Sequence, residues 1–158
     1  MIARMQLRVG HDVLVARDGR DVRPPFCQSR RSDYAVPPKN SPIPVLVVED
    51  EPIVRMDLSD FLMASGFDVL DVEDADEAIE VLERRDDIRL IVTDVDMPGS
   101  MDGLKLARAV ADRWPPIRII VVSGHRLVQI TDIPDGSVFF SKPYHQPQLL
   151  ASILELLS

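Results

Sequence analysis

From position 44 onward the chain alternates between short apolar runs and amphipathic stretches. Val45-Leu46-Val47-Val48 is wholly apolar and largely β-branched, the pattern of a strand buried on both faces. Pro52 suits the first turn of a following helix, where Val54, Leu58, Phe61 and Leu62 recur at helical spacing and Gly66 supplies a stop. Phe67 to Val72 reads as a second strand, and Asp74 caps a helix with Ala75, Ala78, Ile79 and Leu82 on one face. Leu90-Ile91-Val92 is a third strand, ending at Thr93-Asp94; a loop with Pro98 and Gly99 leads to a helix marked by Leu104, Ala107 and Val110. Pro115-Pro116 end that helix, and Ile117 to Val122 form the fourth and most apolar strand. The stretch 125–136 has room for only a short helix. Ser137 to Phe140 give a fifth strand, and Leu150, Ile153, Leu154 and Leu157 a last amphipathic helix. Five such units predict an α/β fold: a doubly wound, five-stranded parallel sheet with helices on both faces.

Charge divides the chain differently. Residues 1–43 carry a net charge of +4 and residues 44–158 a net charge of −12. Pro24, Pro25, Pro37, Pro38, Pro42 and Pro44 crowd the end of the first part. The expectation is therefore a basic, proline-rich, disordered extension over 1–43 and a folded domain over 44–158. Within the extension Asp18-Gly19 is a weak hairpin signal. The extension is either a passive tail or a basic arm for an acidic surface. Cys27 is the single cysteine, so no intrachain disulfide forms, which suits a cytoplasmic setting. No apolar run approaches the ~18 residues of a membrane span, and the net acidity argues against a nucleic-acid partner.

In a doubly wound sheet, ligands bind beyond the carboxyl ends of the strands at the switch point. The polar residues there are Glu49-Asp50-Glu51 after the first strand, Asp94 and Asp96 after the third, Ser123 after the fourth and Lys142 before Pro143 after the fifth. Clustered carboxylates repel one another unless a cation relieves them, and Mg²⁺ with its oxygen preference does so. A carboxylate can also attack phosphorus to form an aspartyl phosphate. Each residue alone is an ordinary turn or surface residue; the set at successive strand ends is not.

These residues resemble the receiver domain of bacterial two-component response regulators. The likeness is carried by Val-Leu-Val-Val-Glu-Asp-Glu (45–51), Ile-Val-Thr-Asp-Val-Asp-Met-Pro (91–98), Asp102-Gly103, Val-Val-Ser-Gly (121–124) and Phe-Phe-Ser-Lys-Pro (139–143). It implies the flavodoxin-like receiver fold and Asp94 as phosphoacceptor. It implies Mg²⁺ (or Mn²⁺) held by Asp50, Asp94 and the backbone carbonyl of Asp96, with Glu49 acting through a metal-bound water. Ser123 and Lys142 would stabilise the phosphoryl group, Phe139 would be the switch aromatic, and Lys142–Pro143 a cis peptide. Asp96 and His125 flank the acyl phosphate and are expected to tune dephosphorylation. The phosphoryl donor would be a histidine kinase or histidine phosphotransfer protein. The output would pass to a downstream protein from a stand-alone receiver, without nucleic acid or membrane.

Two departures bear on the switching face: one extra residue between Pro98 and Asp102-Gly103, and a short span from Ser123 to Lys142. A phosphatase reading of Asp94-Val95-Asp96 is weaker, because that motif would follow a first strand rather than a third. A receiver fold kept only for binding has no use for repelling carboxylates. A dinucleotide-binding fold lacks Gly-x-Gly-x-x-Gly after the first strand.

Overall fold

A computed structural model of the chain describes residues 41–124 and 128–158. The expectations on the extension before residue 41, including Asp18-Gly19 and Cys27, and on His125 lie outside the described residues. The elements run β1 (Pro44–Val48), α1 (Pro52–Ala64), β2 (Asp68–Val72), α2 (Ala75–Arg84), β3 (Leu90–Asp94), α3 (Gly103–Arg113), β4 (Arg118–Ser123), a 3₁₀ turn (Ile130–Asp132), β5 (Val138–Ser141) and α4 (Gln146–Leu157). The strands form one parallel sheet in the order β2-β1-β3-β4-β5. The chain leaves β1 in one direction to β2 and then crosses to β3 on its other side. The switch point therefore lies between the carboxyl ends of β1 and β3.

Period-two alternation splits the core into two layers. Leu46, Val48, Ile91 and Val121 face α2 and α3, where they pack with Ala78, Leu82, Leu106, Ala107 and Val110. Val45, Val47, Leu90, Val92, Ile120 and Val122 face the other way and pack with Leu58 and Leu62 of α1 and Leu149 and Ile153 of α4. Ile43 packs against this second layer, and its carbonyl accepts a hydrogen bond from Asp68 N at 3.0 Å.

Local signals explain the ends of elements. Asp74 accepts from Glu77 N at 2.8 Å and caps α2; Asp102 accepts from Lys105 N at 2.9 Å and caps α3. Gly66, just beyond α1, adopts φ of +95°, which L side chains avoid.

The stretch between β4 and β5, expected to have room for only a short helix, holds a single 3₁₀ turn among its described residues. Two expectations need correction. On α3, Ala107 and Val110 are buried as expected, but the buried leucine is Leu106, with Leu104 only half-buried. On the last helix the buried stripe is Leu149 and Ile153, and Leu154 is 56% exposed. Hydrophobicity alone did not separate neighbouring leucines; which of them faces the sheet did.

Candidate functional site: an acidic pocket at the switch point

Four polar side chains converge where β1, β3 and β5 end. Glu49 follows β1 directly and is buried, 3% exposed; Asp94 closes β3 and is 6% exposed. Asp50 is half-buried beside them. One carboxylate oxygen from each of Glu49, Asp50 and Asp94 lies within 4.8 Å of the others. Lys142, just past β5, reaches in between. Its Nζ is 2.6 Å from Glu49 Oε2 and 3.1 Å from Asp94 Oδ2.

The pocket is therefore over-supplied with negative charge: three carboxylates face one ammonium. Burial pushes the Glu49 carboxyl above its usual range, and the Asp94 charge adds to this, while Lys142 only partly opposes them. Burial would lower the Lys142 ammonium, but its bonds to Glu49 and the charge of Asp94 outweigh that and hold it above its usual range. An oxygen-rich, net-negative cluster fits a hard divalent cation, whose charge would relieve this repulsion. The donor set contains no sulfur or imidazole that would favour a softer metal.

The backbone around Asp94 is pinned on several sides. Asp94 Oδ1 accepts from Val95 N at 2.8 Å, and that same N–H points to Val122 O at 2.8 Å. Gly103 N donates to Val95 O at 3.1 Å, bringing the start of α3 against the end of β3. A Cβ at position 103 would sit 1.8 Å from the Asp94 carbonyl oxygen, so only glycine permits this approach.

The remaining candidates fall as follows. Ser123 ends β4 and is 2% exposed; its Oγ donates to Asp96 Oδ2 at 3.1 Å. Asp96 is half-buried in the loop after β3. Phe139 is half-buried on β5, opposite Val121, and packs on the α2–α3 layer with Val128 and Ile133. Its neighbour Phe140 faces the other layer and meets Tyr144 edge-on, with ring centres 6.3 Å apart. The Lys142–Pro143 peptide is cis.

Arg55 and the Ser123–Asp96 bond are absent from the sequence reading. Arg55, on the first turn of α1, donates to the carbonyl oxygens of Glu49, at 2.5 Å, and Asp50, at 3.5 Å, and pairs with Asp71 at 3.3 Å. It braces the acidic loop from behind. Its only sequence signal is a basic residue close behind a run of acids, which is common on exposed helices.

Comparison with known proteins agrees with this geometry. The family model of the response regulator receiver domain matches residues 45–154. The response regulator receiver protein CpdR of Brucella abortus is 30% identical over 116 residues, covering 72% of this chain and 95% of CpdR. The transcriptional regulatory protein PdtaR of Mycobacterium tuberculosis is 32% identical over 126 residues, covering 77% of this chain and 58% of PdtaR. The match to the response regulator FleR of Pseudomonas aeruginosa spans only 23% of that protein, and the match to the sensor kinase CckA of Brucella abortus 12%. Among solved structures, a response regulator receiver protein from Sinorhizobium medicae superimposes with a TM-score of 0.68 at 30% identity, covering 73% of this chain and 94% of the other. The fold, the acidic pocket at its switch point and these matches agree: the chain belongs to the response regulator receiver domain family.

Proposed function

We propose that this chain is a single-domain response regulator that accepts a phosphoryl group on Asp94 from a histidine kinase or histidine phosphotransfer protein. The observation that carries this is the convergence of Glu49, Asp50, Asp94 and Lys142 at the switch point, with Lys142 Nζ bridging two buried carboxylates. The family's phosphoacceptor role in two-component signalling supports it. The match over 95% of CpdR supports a regulator built on the receiver alone.

In this reading an Asp94 carboxylate oxygen attacks the phosphorus of the donor's phosphohistidine. The O–P bond forms as the P–N bond breaks, and the imidazole nitrogen leaves with the electron pair and takes up a proton. Asp50, Asp94 and the Asp96 backbone carbonyl would hold Mg²⁺, with Glu49 supporting it indirectly through water. When bound, the cation neutralises charge on the equatorial phosphoryl oxygens. Lys142 is already charged and aimed at Asp94, so it exchanges its carboxylate partner for a phosphoryl oxygen. Ser123 donates its hydroxyl to another. Phe139 then repacks by apolar contact alone, having no hydroxyl, and the β4–β5 connection, β5 and α4 change together as a two-state element. Asp96 and His125 tune loss of the phosphoryl group by orienting or repelling the attacking water. The output is contact with a downstream protein in the cytoplasm. Among the described residues no helix is long and apolar enough to cross a membrane.

Borohydride trapping tests the site. After incubation with a small acyl-phosphate donor and Mg²⁺, reduction should convert Asp94, and no other acid, to homoserine in peptide mass spectra. Conversion at Asp50 or Asp96 instead would overturn the assignment.

A further inference from the structure

We propose that Asp96 is a positioning residue that holds the Ser123 hydroxyl in the resting state, so that the Ser123–Asp96 bond must break before Ser123 can serve a phosphoryl group. The inference rests on the phosphoacceptor reading of Asp94 and goes beyond it. Ser123 Oγ donates to Asp96 Oδ2 at 3.1 Å. A hydroxyl carries one proton to donate. While that proton points at Asp96 it is not available to an oxygen on Asp94, so the two arrangements exclude each other. The acceptor is a carboxylate, which makes this a charge-assisted bond and a stronger hold than a neutral acceptor would give.

The surroundings favour a rotation over a strand shift. The Ser123 carbonyl accepts from Lys142 N at 2.8 Å, which fixes the backbone at the end of β4. Ser123 is 2% exposed, so water offers little competition for its hydroxyl. What is left free is the staggered choice at χ1. Lys142 Nζ is engaged elsewhere in the resting arrangement, with Glu49 and Asp94. A phosphoryl group brings a charge of about −1.5 to −2. On Asp94 it would both repel the Asp96 carboxylate and offer Ser123 a better acceptor. Asp96 thus sets how strongly the unmodified protein resists switching.

The test is a titration of the full chain with beryllium trifluoride, a phosphoryl mimic, at fixed Mg²⁺, read by fluorine NMR. Asp96→Ala should raise the apparent affinity about tenfold, the lower end expected for a hydrogen bond to a charged group. Asp96→Asn keeps an acceptor oxygen without the charge and should give a smaller gain. Ser123→Ala should weaken binding, and Asp96→Ala should then give a much smaller gain in the Ser123→Ala background, the part due to its charge alone. An equal gain from Asp96→Ala with and without the Ser123 hydroxyl would overturn the latch, leaving only the charge of Asp96. A wild-type chain that forms no adduct would remove the phosphoacceptor reading and the latch with it. Circular dichroism of each variant separates these outcomes from a failure to fold.

Discussion

Alanine at position 103 tests how closely α3 must approach the strand that carries Asp94. The added Cβ would lie 1.8 Å from Asp94 O, 2.7 Å from Asp94 C and 2.9 Å from Val95 Cα, all backbone atoms. Restoring an ordinary contact requires the start of α3 to move by about 1.6 Å against β3. Overpacking of this kind costs ~1–3 kcal/mol. The Gly103 N to Val95 O bond at 3.1 Å is lost in the same movement, at ~1 kcal/mol. Alanine's higher helix propensity returns up to ~1 kcal/mol. The net expectation is a loss of ~1–3 kcal/mol, or a melting temperature lower by about 2–12 °C for a chain of this size. Gly136→Ala is the control: φ there is +79° with nothing within 4 Å, so it costs only the ~1–2 kcal/mol of a left-handed alanine. Urea unfolding of both variants without metal decides the matter. A Gly103→Ala protein within ~0.5 kcal/mol of wild type would refute the close approach and the pinning of Asp94 built on it.

Further expectations concern the charges and the core. Because burial raises the folded-state pKa of Glu49, its contribution to stability is complete below the ordinary value of 4.5 and is lost as pH rises through the folded value. Without metal, Glu49→Gln should therefore match wild type near pH 4 and exceed it at pH 7–8 in thermal melts; a variant that is less stable at the higher pH would contradict this. Lys142→Ala leaves two buried carboxylates without their counter-charge and should cost up to ~3 kcal/mol in EDTA. That loss should shrink when Mg²⁺ is added, since a cation can replace the ammonium; equal losses in both buffers would count against a metal site. Ser59 Oγ is buried with no hydrogen-bond partner, so Ser59→Ala should leave the urea midpoint unchanged or raise it by up to ~1 kcal/mol in stability.

The sheet was legible because its inner strands β1, β3 and β4 are short apolar runs, each closed by a polar residue, and burial on both faces leaves such a run no alternative pattern. The candidate site was legible for the same reason: Glu49, Asp94, Ser123 and Lys142 each mark the carboxyl end of a strand. What could not be read lies between segments far apart in sequence. Ser123 meets Asp96 across 27 residues, and nothing in either local stretch reports the contact. Asp102-Gly103 was visible as a motif, yet its steric reason appears only when α3 is docked on β3. The choice of Leu149 over Leu150 and Leu154 depended on which side of α4 meets the layer formed with α1 and the sheet. Arg55 has no distinguishing signal in its local sequence, yet it folds back on the loop that carries the acids.

The central claim is that Asp94 accepts a phosphoryl group in a pocket that needs a divalent cation. Intact mass spectrometry of the whole chain, incubated with a small acyl-phosphate donor, tests it in one series. The account predicts one added phosphoryl group on wild type with Mg²⁺, none after EDTA, and none on Asp94→Asn. A full adduct on Asp94→Asn, or equal labelling without metal, would contradict it.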